Sequence, residues 1–188
     1  MKPVVLHAAP RTDRRVQRTR EALREALLSL LPGHGWDGID VAMLCERANI
    51  GRSTFYLHYA DKGALLRGAF ADLHDHLIAT IHPADRARPH AFLPGLLAHV
   101  HGQQEVFRSL LGRRSGQAVQ DQMRDLLITL FAQDDAGDEA RPHLLAGALM
   151  QLMVWWLGTA WQLTPAEVEA RFRAFAVRPI DAVGAPMA

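Results

Sequence analysis

An all-α protein is predicted by three observations on this 188-residue chain. Apolar residues recur at spacings of three and four through most of its length, and no apolar-polar alternation runs long enough to make a strand. The third is the stretch Ile39 to Leu66, IDVAMLCERANIGRSTFYLHYADKGALL, which reads as two short helices joined by a tight turn and followed by the start of a longer one.

Taken in order, residues 1 to 11 read as an arm, and Thr12 or Asp13 is placed to cap a first helix running to about Leu31. Val16, Leu23, Leu27 and Leu30 share one face of it, and Pro32, Gly33 and Gly35 are expected to end it. Trp36 and Ile39 are expected to plug the junction with the next two helices. Asp40 is a plausible N-cap for a helix whose Val41, Leu44, Cys45 and Ala48 lie at i, i+3, i+4, i+7. Asn49 and Gly51 flank Ile50 and suit a corner that needs left-handed backbone. From Arg52 a second short helix buries Phe55 and Tyr59. It leaves Arg52, Ser53, Thr54, Tyr56 and His58 pointing elsewhere. These are donors and stacking groups, the chemistry a helix needs to contact base edges and phosphates in a major groove.

Here the chain resembles a known family. From Asp13 to Leu66, through DRRVQRTREAL, LCERANI and STFYLHYADKGALL, it is similar to the DNA-binding domain of the TetR family of bacterial transcriptional regulators. The resemblance implies an N-terminal three-helix helix-turn-helix domain over residues 1–62 with a basic arm, and a C-terminal helical ligand-binding and dimerisation domain over residues 63–188. It implies DNA contacts from Thr54, Tyr56 and His58, candidate contacts from Arg52 and Ser53, and a phosphate contact from Lys62. Three positions depart from the family pattern. Asp40 stands where Thr or Ser is usual, Gly51 where Ser is common and Gly63 where Glu is frequent, so Asp40 is assigned to capping alone.

The charge distribution agrees with that reading. The formal net charge of +1 says little, but residues 1–62 hold ten Lys or Arg against seven Asp or Glu, a net of +3. Arg11, Arg14, Arg15, Arg18 and Arg20 lie within ten residues of one another. The remaining 126 residues carry eleven against thirteen, a net of −2. A single cysteine, Cys45, cannot form an internal disulfide, no stretch is long and apolar enough to span a membrane, and a cytoplasmic location is the expectation.

Beyond the motif, Asp61 should cap a fourth helix to about Ile81, and HPADRARPHA, residues 82 to 91, breaks the chain. Helices are predicted from Phe92 to Gln103, through Val106 to Leu111, and from Gln117 to Ala132, with a GRRSG loop between the last two. Pro142 should open a long helix, His143 to Gln162, and Thr164, Pro165 and Glu167 form a capping box for a last helix to about Val177. The tail RPIDAVGAPMA is expected to be loose. The long helix is apolar nearly all round, which one small domain rarely covers alone, so a second copy is expected against it. The family resemblance implies a homodimer through the last two helices, with two recognition helices about 34–36 Å apart on a palindromic operator.

The resemblance further implies an unknown small-molecule effector held in the C-terminal domain. Candidate lining residues are Phe107, Met123, Phe131, Met150, Met153 and Trp156, with Trp161 beside them. The plain alternative is that such a stripe is ordinary core or dimer interface. His99, His101 and Gln151 are the polar groups near these, so an effector would be largely apolar.

No cofactor is expected. His74 and His76, like His99 and His101, are two apart and point to different sides of a helix, so neither pair chelates one ion; Asp72 with His76 could, but no third ligand is evident. No Gly-rich phosphate loop, HExxH or GxSxG occurs, and the chain is not expected to be an enzyme. The reading is a repressor of TetR type. Its alternatives are a same-fold activator or regulator acting through a protein partner, and a helical ligand-binding protein or enzyme with no DNA role.

Overall fold

The structure, a computed structural model, describes residues 11–111, 116–134, 138–160 and 162–177. Among these there are nine α-helices and no strand: α1 (Arg11–His34), α2 (Val41–Ala48), α3 (Arg52–His58), α4 (Lys62–Thr80), α5 (Leu93–Gly102), α6 (Gln104–Leu111), α7 (Gln117–Ala132), α8 (Ala140–Thr159) and α9 (Pro165–Phe172). The expectations placed on residues 1–10, on the 112–115 loop, on Trp161 and on the 178–188 tail lie outside the described residues.

Local signals fix most of the ends. Asp40 Oδ1 accepts from the Met43 amide at 2.8 Å and Asp61 Oδ1 from the Ala64 amide at 2.6 Å, so both aspartates cap as expected. The Thr164 hydroxyl and the Glu167 carboxylate make a reciprocal capping box at α9. In the corner between α2 and α3 only Asn49 takes the left-handed conformation, at φ 53°, and its amide reaches back to the carbonyls of Cys45 and Glu46. Gly51 is extended at φ −73° and is the N-cap of α3. One left-handed residue suffices to turn this corner, so the glycine there is not required by backbone conformation.

Four boundaries differ from the sequence reading. Thr12 and Asp13 fall inside α1, which already includes Arg11. The same helix continues past Pro32 to His34; its last turn is closed by Gly35, whose amide donates to the Leu31 carbonyl at φ 64°. Helix α8 starts at Ala140 instead of His143, because Asp138 Oδ1 accepts from the Ala140 and Arg141 amides. Pro142 then sits in a first turn that needs no amide from it. It ends at Thr159, three residues short of the expected Gln162.

One hydrophobic core runs through the molecule from Leu23 to Val177. Helix α6 is the cross-member. Ser109 Oγ donates to the Leu31 carbonyl at the end of α1 (2.7 Å), and Arg108 Nε donates to the Leu157 carbonyl near the end of α8 (2.8 Å). Trp36 is buried in the α1–α2 junction, as expected, and Gly116 at the start of α7 comes so close that a Cβ there would lie 2.6 Å from the indole. The α1–α2 end is therefore packed directly on the helices that follow it.

Candidate functional site

Helix α3 is seven residues long, too short to be stable by itself, and tertiary packing holds it. Phe55 is fully buried at its centre, with the rings of Tyr56 and Tyr59 at centroid distances of 5.4 and 6.1 Å. Gly68 on α4 admits Tyr59: a Cβ there would stand 3.2 Å from its ring. At about 100° per residue, the direction opposite Phe55 and Tyr59 is occupied by Ser53 and Leu57. Arg52 and Tyr56 lie on one flank and Thr54 and His58 on the other. Burial follows this geometry, since Arg52, Ser53, Tyr56 and Leu57 are exposed and Thr54 and His58 half-buried. Leu57, at 82% exposure, is the outermost large apolar side chain, and Tyr56 stands at 58%. The sequence reading passed over Leu57. A leucine on a helix suggests core, and only its angular position opposite Phe55 marked it as outward.

Lys62, assigned above to a phosphate, has other partners in the structure. Its Nζ donates to the Trp36 carbonyl at 3.0 Å and the Ile39 carbonyl at 2.8 Å, and lies 4.6 Å from the centroid of the Trp36 ring. Two of its three donors thus hold the α1–α2 loop against α4. Arg14, Arg15, Arg18 and Arg20 are all exposed along α1. Cys45 is buried on the inward side of α2, and that burial raises its thiol above the ordinary value against a smaller opposing effect of Arg52. Such a thiol is a poor nucleophile.

The expected effector residues are divided between the α7–α8 core and a cavity beside α6. Met123, Phe131, Met153 and Trp156 are packed solid in the core of α7 and α8, Met150 is half-buried, and only Phe107 reaches a sizeable cavity. That cavity, about 350 Å³, lies between α1, α4, α5 and α6. Its polar groups are Arg24, Asp72, His76, His99 and Gln103. Arg24 and Asp72 form an ion pair between α1 and α4, and the His76 and His99 rings lie 6.2 Å apart. Among the described residues no group of three His, Cys, Asp or Glu is placed to hold a metal ion, and no helix is long and apolar enough to cross a membrane.

The other exposed large apolar residues among those described lie on α8 and in the turn after α9. Leu144, Val154 and Trp155 on α8 and Phe175 in the π-helical turn Arg173–Val177 leave an apolar surface, with Trp155 43% and Phe175 80% exposed. Leu152, Trp155, Phe172 and Phe175 line a shallow trough there of about 390 Å³.

A short, rigidly backed helix presenting donors and apolar groups, set across a tight corner from α2, has the form of a helix-turn-helix. Residues 23–69 match the family model of the bacterial regulatory proteins, tetR family. A curated relative, an uncharacterized HTH-type transcriptional regulator YxbF of Bacillus subtilis strain 168, is 42% identical over 76 residues, 38% of this chain and 20% of that protein. The match thus spans about a fifth of the relative's length. Among solved structures, a TetR transcriptional regulator from Streptococcus agalactiae 2603V has the same fold, with a TM-score of 0.66 at 24% identity over 88% of this chain and 97% of the other. The dihydroxyacetone kinase operon activator DhaS has it too, with a TM-score of 0.62 at 15% identity over 87% and 97%. Over residues 23–69 the chain is similar to the tetR family of bacterial regulatory proteins, and over most of its length it shares the fold of these solved regulators.

Proposed function

We propose that the protein is a homodimeric transcriptional repressor that binds a palindromic operator through α3 and is released by a small, largely apolar effector. The observation that carries this is the outward face of α3, where Arg52, Ser53, Tyr56 and Leu57 are exposed while Phe55 locks the opposite face. Arg52, Ser53 and Thr54 supply base-edge contacts, Tyr56 and His58 reach the backbone, and Leu57 meets a thymine methyl. The arginines of α1 add affinity that falls with salt. Two copies meet through the apolar surface of α8 and the turn after α9, which sets the two α3 helices one DNA turn apart. No cofactor enters this reading.

The direct test is binding of the purified protein to the DNA upstream of its own coding region, against random DNA, at two salt concentrations. A two-fold-symmetric footprint is expected, and only weak, fully salt-labile binding would count against the reading. The dimer is tested by Trp155→Glu, which should give a monomer by light scattering and at least a tenfold loss of operator affinity. A variant that stays dimeric would remove α8 from the interface.

The likeness to an operon activator favours a second reading, in which the same contacts recruit transcription instead of blocking it. Promoter activity that falls when the protein is deleted would select it.

A further inference from the structure

The cavity between α1, α4, α5 and α6 differs along its length. At one end stand Leu31, Leu66 and Leu110, all buried. The Ser109 bond to the Leu31 carbonyl places this part of α6 at the C-terminal end of α1. The polar groups gather at the other end. There Arg24 pairs with Asp72 and His76 faces His99. From Arg24 to Leu31 is seven residues of helix, roughly 10 Å, so the cavity is a short slot, polar at one end and apolar at the other. At about 350 Å³ it has room for roughly a dozen waters' worth of ligand.

The polar end offers hydrogen bonds without net charge. Arg24 and Asp72 neutralise each other across the mouth, and a charged head group would have to break that pair or go unpaired into an apolar slot. The His99 ring is half-buried and held edge-on to Phe107 at a centroid distance of 5.7 Å. Burial first, and the neighbouring His76 second, hold it below its ordinary value, so at neutral pH it carries one donor and one acceptor. Gln103 adds an amide beside it.

We propose that this slot is a binding site for an uncharged amphiphile of about a dozen non-hydrogen atoms, its hydroxyl or carbonyl head at His99 and Gln103 and its apolar end against Leu31, Leu66 and Leu110. Two of its walls, α1 and α4, carry the helix-turn-helix, and the Arg24–Asp72 pair ties them together over the mouth. Occupation therefore acts on the DNA-binding end directly, without passing through the α7–α8 core. That consequence rests on the regulator reading, whereas the binding itself does not.

The experiment is calorimetric titration of the full chain, without DNA, by three ligands of equal chain length: 1-decanol, decanoate and decylamine at pH 7.5. Decanol should bind at least tenfold more tightly than either charged ligand. Val106→Trp, which fills the slot from α6, should abolish the binding, and Leu73→Trp fills it from α4 if the first variant fails to fold. His99→Leu should weaken decanol severalfold. Tighter binding of decanoate or decylamine, no binding of decanol, or decanol binding unchanged in a folded slot-filled variant would each overturn the proposal. Decanol bound in this way by a chain that does not bind DNA would support the site and count against the regulator reading.

Discussion

Helix α3 and the cavity between α1, α4, α5 and α6 are the two surfaces proposed for recognition, and they are built in opposite ways. The α3 surface comes from seven consecutive residues whose directions follow from helix geometry once Phe55 and Tyr59 are known to be inside. The polar end of the cavity is made by Arg24, Asp72, His76, His99 and Gln103, drawn from α1, α4 and the α5–α6 corner. A surface of the first kind is fixed by spacing. One of the second kind exists only when helices cross at particular angles, and no local pattern announces it.

The contrast can be broken most severely at the buried side of α3. Phe55→Ala removes the ring on which the helix sits and should cost about 3–5 kcal/mol, read by urea denaturation, with operator binding lost. The cavity should survive, because none of its lining residues lies on α2 or α3; a slot-bound decanol signal that disappears in a folded variant would show that the cavity walls depend on the seating of α3.

Lys62 sharpens the comparison next. If it acts by holding the α1–α2 loop, Lys62→Met should cost about 1.5–3 kcal/mol, the range for hydrogen bonds from a charged donor, and lower the melting temperature by about 2–4 °C per kcal/mol. The salt dependence of DNA binding should not change. A slope shallower by about one unit, with unchanged stability, would restore the phosphate contact.

Leu57→Ala should leave stability unchanged and weaken operator binding by about 0.8 kcal/mol, one buried methyl's worth. Replacing thymine by uracil at the facing position should weaken the parent protein equally and leave the variant unaffected. Equal sensitivity of both proteins to uracil would remove Leu57 from the interface.

The smallest effect belongs to His99. Its value is depressed below the ordinary 6.5, so as pH falls through 6.5 the unfolded chain takes up a proton that the folded chain refuses. Stability is therefore retained above that pH and lost as pH falls toward the depressed value. His99→Gln should flatten this part of a pH-dependent melting series. A series with the same slope in both proteins would assign the loss to other groups.

How much was legible follows the same division. The caps at Asp40, Asp61 and Thr164, the left-handed Asn49 and the buried Phe55 were all readable, because each depends on groups within four residues of one another. Reading failed where a local rule had a second solution. Gly51 could have turned the corner, but Asn49 had already done so. Pro142 could have opened α8, but Asp138 satisfied the amides two and three residues after it and moved the start forward. The Met and aromatic stripe suited a cavity as well as a core, and the packing of α7 on α8 made it core.

By itself the sequence determined the helices, their caps, the face of α3 turned away from Phe55 and the family likeness of residues 23–69, since these rest on backbone geometry repeated every few residues. Tertiary structure alone decided that Lys62 turns inward to Trp36 and Ile39, that Asp72 meets Arg24 from 48 residues away, and that the open slot lies beneath α1. The reason is physical: a hydrogen bond or void between helices depends on their crossing, and that is set by close packing of the whole core rather than by any one segment of the chain.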